Sequence, residues 1–442
     1  MTSLHSPADH TRSPRPRKAR SKNLPSPNSP QSGYNYPMST ARQLLSPALL
    51  VAALGYFVDV YDLILFLVVK NPSLTDIQVP QSDFIAAGTY LLNCQMVGML
   101  LGGITWGILG DKVGRTKVLF GSIIIYSVAN IANAFVSGMT SYAALRFVAG
   151  FGLAGELGAG VTLVAELLPK HLRGYGTTII AAVGVFGAVV AGFTGEVLPW
   201  RLSYIVGGAL GLLLLTVRIS VKDSEIFTQT THTSVGRGEF SLIVRSPRRL
   251  ARYLAYIVLG LPIWFIVGIL LSNANTIAAL NGVIGTPKPG WCIAFCYLGL
   301  FVGDIVAGLL SQYLQSRKRP LALFLALSLI LPYIVLTRTN ISVAEFYGLI
   351  LLLGIAGGYW ILLITSATER FGTNLRATVT TTIPNFIRGA VVPMSTIFIA
   401  LKEPFGVIHG AMFVGFGVCL LATTSLFAIR ESFHDDLDFV ER

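Results

Sequence analysis

The chain has 442 residues, 53% hydrophobic and 12% charged, with a mean hydropathy of +0.67. Soluble domains carry about 25% charged residues, so the composition excludes an ordinary water-soluble globule and describes an integral membrane protein. The net charge of +12 could suit nucleic acid, but in a polytopic protein basic residues collect in cytoplasmic loops, and no nucleic-acid partner is expected.

Residues 1–44 are rich in Ser, Pro, Arg and Lys, as in RSPRPRKARSKNLPSPNSP. Such a stretch cannot bury a core, so it reads as a disordered tail able to touch anionic lipid. It shows no secretory signal, and Met38 is an alternative start. A spanning helix needs about 20 apolar residues. Twelve such runs follow, near 45–70, 83–109, 117–137, 141–165, 176–198, 201–218, 253–274, 290–314, 320–338, 342–366, 376–401 and 405–428. With the N-terminus inside, 26 of the 33 lysines and arginines fall on the inner side. Lys70, Arg201, Lys288, Arg338 and Lys402 fall outside, and Arg146 and Arg388 within spans. The positive-inside rule then puts both termini in the cytoplasm.

The four cysteines lie in apolar runs without CxxC spacing or nearby histidines, so neither a disulfide frame nor a metal site is expected. GFGLAG (150–155) fits GxGxxG, but it sits inside an apolar helix with no preceding strand, which excludes dinucleotide binding. No cofactor is expected. Its glycines, with Gly98, Gly102, Gly103 and Gly107 of span two, suit close helix approach.

A charge at bilayer depth costs about 2.5–3.5 kcal/mol on insertion scales, so those present mark function. They are Asp59, Asp62, Arg146, Glu156, Asp304 and Arg388. At about 1.5 Å per residue, Asp59, Asp62 and Arg146 lie about 21, 25 and 28 Å from the cytoplasmic ends of their helices and can meet. Glu156 and Arg388 come out nearer the midplane, where carriers hold substrate. Two carboxylates one turn apart beside an arginine titrate as a coupled pair. Asp62 is therefore the expected proton-coupling site, assisted by Asp59, gated by Arg146 and walled by Tyr61 and Tyr56. A standing salt bridge of either aspartate with Arg146 is the structural alternative. Arg388 offers a bidentate guanidinium to a carboxylate, which points to an organic anion, unless Asp304 or Glu156 neutralises it. Tyr359 and Trp360 could stack on substrate or only pack. Asn273, Asn275 and Asn385 are candidate polar contacts. His409 reads as a core or rim residue.

The chain repeats itself. ELLPKHLRGYGTT (166–178) and ERFGTNLRATVTT (369–381) align at an offset of 203, and GILGDKVGR (107–115) with GLLSQYLQSR (308–317) at 201. Six helices, a linker near 219–250 and six more are expected, with bundles at 45–218 and 251–428 and a tail at 429–442.

On these residues the chain resembles the major facilitator superfamily. Gly107, Leu109, Asp111, Lys112, Gly114 and Arg115 fit its signature between spans two and three, with Thr116 departing from it. RFVAGFGLAGE (146–156) resembles its span-four motif, PWRLSY (199–204) its start of span six, and RESFHDDLDF (430–439) the tail of its sugar and organic-acid porters. DVYD (59–62) resembles the DGYD or EWYD of aromatic-acid and metabolite proton symporters. The resemblance implies an all-α membrane protein of twelve transmembrane helices in two pseudo-symmetric six-helix bundles, with spans one, two, four, five, seven, eight, ten and eleven lining a central pathway. It also implies a cytoplasmic gate of Asp111, Arg115, Glu166 and Arg173, repeated by Glu369 and Arg376, with Asp111 facing the start of span eleven. The expected function is proton-coupled symport of a small organic anion or metabolite by a monomer in the inner membrane, with lipid as its surroundings. The alternative is a proton-coupled drug or metabolite exporter. The Gly-Pro pair such antiporters carry in span five is missing from GVFGAVVAGFTGE (184–196). No nucleophile with a base supports an enzyme.

Overall fold

The computed structural model describes residues 47–113, 115–156, 158, 173–218, 240–433 and 441. Inner and outer below follow the orientation expected from the basic residues. Span one is Pro47–Asp76, span two Phe84–Val113, span three Arg115–Asn133, span four opens as Met139–Leu153, span five is Arg173–Val197 and span six Trp200–Arg218. Spans seven to ten are Pro247–Leu280, Pro289–Tyr313, Lys318–Thr337 and Val343–Glu369. Span eleven begins as Thr373–Gly389, and Val391–Ala428 holds its second part and span twelve, separated at Gly406 (φ 78°, ψ 171°). That left-handed backbone is the region glycine tolerates, and it turns the chain back into the bilayer.

Span one outruns its apolar stretch. Lys70, expected in an outer loop, lies inside the helix at 6% exposure. The extension past Pro72 is held locally: Ser73 Oγ donates to the Lys70 carbonyl at 2.8 Å and accepts from Tyr142 Oη at 3.2 Å.

The repeat is visible in the packing. Gly98 and Gly102 of span two lie against the backbone of Phe147 and Phe151 on span four, and Gly299 and Gly303 of span eight lie against Leu351 and Ile355 on span ten in the same way. Gly150 meets the Gln95 carbonyl as Gly354 meets that of Cys296. Without a hydrophobic drive between helices in lipid, backbone approach through small residues supplies the contact. Span one packs on spans five and six, and span three on four and six. The halves meet along two seams, span two with eleven and span five with eight. The repeat offset turns two into eight and five into eleven, so the seams exchange with each other. That is the signature of a pseudo-twofold assembly.

Among the described residues, spans four, seven and ten break at depth, besides the interruption of span eleven at Ala390. Span four leaves the helix at Ala154–Gly155, and span ten at Gly358–Tyr359, the matching position in the second half. Span seven passes through a π segment, Ile266–Leu270, and a 3₁₀ turn, Leu271–Asn273. Backbone groups freed at such breaks need partners. Trp106 Nε1 donates to the Phe151 carbonyl at 2.7 Å, Asn385 Nδ2 to that of Ala154 at 3.0 Å, and Asp304 Oδ1 accepts from Ile361 N at 3.1 Å.

Candidate functional site

Asp59 and Arg388 approach each other across the two halves. Asp59 Oδ2 lies 3.9 Å from Arg388 Nη2, with the side chains 0% and 3% exposed. The separation exceeds hydrogen-bonding distance, so the charges face each other without locking. Arg388 is oriented from one turn below, where Asn385 Oδ1 accepts from Nη1 at 3.5 Å. Its guanidinium lies 5.9 Å from the Trp264 ring and 6.0 Å from the Trp360 ring, within the range at which a cation is held by an aromatic face. Tyr56, one turn before Asp59, is buried with its ring against Gly184 of span five. Glu156 is buried at the break of span four. Among the described residues, the centre is a guanidinium within reach of two indole rings and paired with one carboxylate. Such a surface suits a flat anion.

Asp62 and Arg146 occupy a separate compartment inside the first half. Asp62 is fully buried over Gly207 of span six, and neither carboxylate oxygen accepts a hydrogen bond among the described residues. Arg146 and Asn130 are the charged and polar groups acting on it besides Asp59, but neither reaches bonding geometry. Arg146 instead donates from Nη2 to Gln95 Oε1 and lies 4.6 Å over the Phe66 ring and 5.9 Å from that of Tyr204. No ion pair forms between Arg146 and either aspartate, so the standing salt bridge is absent and the three charges do not form one cluster. Helical phase explains the split: Asp59 and Asp62 are three residues apart, about 300° around the helix and so about 60° short of a full turn.

The remaining candidates divide. Trp360 faces Arg388, while its neighbour Tyr359 turns away, its hydroxyl donating to the Leu259 carbonyl at 3.0 Å. Tyr61 points to spans five and six, pairing with Thr194 at 2.9 Å and donating to the Ser203 carbonyl at 3.2 Å. Asn273 donates to the Ile269 carbonyl of its own span at 2.8 Å, closing the π segment. Asp304 holds the N-terminus of the inner half of span ten and is not paired with Arg388. Gln95 and Trp264 carry contacts that a search restricted to charges passed over. Gln95 was detectable as a large amide inside LLNCQMVGML. An apolar hollow lined by Phe186, Val189, Phe193 and Trp291 sits on the seam of spans five and eight, has no charged residue in its lining, and is not part of the site.

At the inner face, Glu369 receives Arg317 through two bonds of 2.7 and 3.2 Å and Ser432 Oγ at 2.9 Å. Arg376 donates to the carbonyls of Thr368 and Phe371. Glu166 lies outside the described residues, as do the side chains of Asp111, Arg115 and Arg173.

Comparison with known proteins agrees with this architecture. A family model described as Major Facilitator Superfamily matches residues 48–392. A protein of Haemophilus influenzae described as a metabolite transport protein is 29% identical over 399 residues, covering 86% of this chain and 95% of its own. The 4-hydroxybenzoate transporter PcaK of Pseudomonas putida is 28% identical over 236 residues, 52% of this chain and 50% of its own. A crystal structure of a D-xylose-proton symporter shares the fold with a TM-score of 0.68, at 16% identity over 88% of this chain and 99% of that one.

Proposed function

The chain belongs to the major facilitator superfamily, a family of transporters and not of enzymes, and from that premise we propose that it carries a small organic anion with protons across the inner membrane. The observation that carries the reading is Arg388: a buried guanidinium flanked by Trp264 and Trp360 and opposed by Asp59 only at 3.9 Å. A carboxylate entering there gains charge-assisted bonds to the fork, and a flat body gains stacking on the indoles. A relative named for 4-hydroxybenzoate transport supports a flat carboxylate over a sugar.

Proton coupling rests on the two aspartates. When an anion takes Arg388, Asp59 loses its partner, and a proton restores neutrality at a depth where an uncompensated charge is expensive. Asp62, one turn further out in its own compartment, feels the charge on Asp59, so that the two carboxyls titrate as a coupled pair. The bundles at 45–218 and 251–428 rock about the two seams, tied by the linker at 219–250, with both termini in the cytoplasm and the monomer as the working unit.

Uptake of a radiolabelled organic-acid panel into proteoliposomes, with and without an imposed pH gradient, tests the reading. Accumulation above equilibrium only with the acidic side outside is expected. Accumulation that ignores the gradient would remove the proton from the account, and transport of neutral solutes alone would remove the anion.

A further inference from the structure

Lys70 is a cation buried in the outer half of span one, at 6% exposure, and among the described residues it forms no ion pair. Its ammonium crosses to the other half of the molecule, donating to the Ser272 carbonyl at 2.6 Å and reaching Ser272 Oγ at 3.3 Å. Ser272 lies in the 3₁₀ turn where span seven loses its regular helix, so its carbonyl belongs to a helix end that carries partial negative charge. A second contact, of opposite polarity, lies on the seam of spans five and eight. Glu196, near the outer end of span five, accepts from Gly290 N at 2.8 Å, at the N-terminus of span eight, which carries partial positive charge. Gly192 and Gly290 bring the two backbones together there.

Lys70 is also anchored from behind. Its stem lies against Gly88 of span two, and its carbonyl receives Ser73 Oγ at 2.8 Å. Ser73 in turn accepts from Tyr142, whose hydroxyl pairs with that of Tyr204 at 2.8 Å, and the Tyr204 ring flanks Arg146. The ammonium thus projects from a hydrogen-bonded base onto an irregular stretch of backbone, a helix interrupted by π and 3₁₀ turns.

We propose that Lys70 is the latch of the outer gate: its ammonium on the Ser272 carbonyl holds spans one and seven together when the outer side is shut. Opening outward breaks this contact and leaves the lysine facing the outer vestibule. The latch is set by charge on a helix end and not by a salt bridge, so each bond is weak enough to break in every cycle. The inference is independent of the substrate and of proton coupling.

The test uses full-length protein in which Cys94 and Cys292 are Ser. A reporter cysteine is placed at Ala274 on the outer part of span seven or, in a second protein, at Thr381 on the inner part of span eleven. Each is labelled with a membrane-impermeant maleimide, from outside in intact cells for Ala274→Cys and from the cytoplasmic side in inverted vesicles for Thr381→Cys. Lys70→Met is expected to raise the Ala274→Cys labelling rate at least fivefold and to lower that of Thr381→Cys. Unchanged labelling at both positions would overturn the latch. A rise at both would mean loosened folding and would overturn it equally. Failure of transport to respond to pH, with the labelling shift present, would sink the proton reading and leave the latch standing.

Discussion

Asp59 on span one and Arg388 on span eleven form the ion pair that joins the two halves at the centre of the described structure, Oδ2 to Nη2 3.9 Å. Breaking a buried pair by removing one partner leaves the other charge uncompensated and costs about 3–5 kcal/mol. With this separation, Asp59→Asn is expected at the lower end of that range, read as a fall in the thermal midpoint of purified protein in detergent. The double variant Asp59→Asn, Arg388→Gln should recover most of the midpoint while transporting nothing. A double variant as unstable as the single one would show that the pair is not what fixes the two charges.

Arg146 is held by Gln95. A hydrogen bond to a charged group contributes about 1.5–3 kcal/mol, so Gln95→Leu should destabilise the protein by that amount. Gln95→Glu should restore or exceed the parent's midpoint. Equal midpoints for the leucine and glutamate variants would contradict the assignment.

The symmetric glycines give matched expectations. Gly98→Val and Gly299→Val each drive a side chain into the backbone of the facing span, and overpacking of this kind costs about 1–3 kcal/mol. At Gly308 an added Cβ meets nothing within 4 Å, so Gly308→Ala should be neutral or stabilising by up to about 1 kcal/mol through helix propensity. Chemical-denaturant or thermal unfolding of the three variants checks the ordering.

Several of these relationships could be read from the chain and others could not. The twelve apolar runs and the offset between halves were legible because bilayer thickness fixes helix length and duplication leaves glycines such as Gly98 and Gly299 in register. The six intramembrane charges were legible for the same reason: lipid makes each one conspicuous. What the sequence did not determine is azimuth. Placing Asp59, Asp62 and Arg146 at similar depths suggested one cluster, yet the structure sends Asp59 to Arg388 and Arg146 to Gln95. Likewise Tyr359 and Trp360 are neighbours in the chain and face opposite ways, because span ten unwinds between Gly358 and Tyr359. A lysine beside NPSLTD reads as the start of a loop, but the helix of span one runs on to Asp76 and carries Lys70 inside it.

Glu431 offers a titration outside the membrane. Burial works against its charge, but the Ser316 hydroxyl and the backbone N–H groups of Arg317, Lys318 and Phe433 outweigh it and pull the carboxyl from 4.5 down to about 2. A folded-state value below the unfolded one means stability that is present above the unfolded value and lost as pH falls through the folded one. The clasp of the C-terminal segment on span nine should therefore hold unchanged down to about pH 4.5 and loosen progressively toward pH 2. Glu431→Gln should lack this acid-dependent step. Limited proteolysis at the C-terminus across that pH window reads it.

The central claim is that Arg388, between Trp264 and Trp360, receives a carboxylate. Its most direct measurement is quenching of intrinsic tryptophan fluorescence in detergent-purified protein, titrating a flat aromatic carboxylic acid against its amide. One charge-assisted bond separates the two ligands, about 1.5–3 kcal/mol, or a factor of about 10–150. The account predicts saturable quenching by the acid at least tenfold tighter than by the amide, and loss of that difference in Arg388→Gln. Equal affinities for acid and amide in the parent protein, or a preference for the acid that survives in Arg388→Gln, would contradict it.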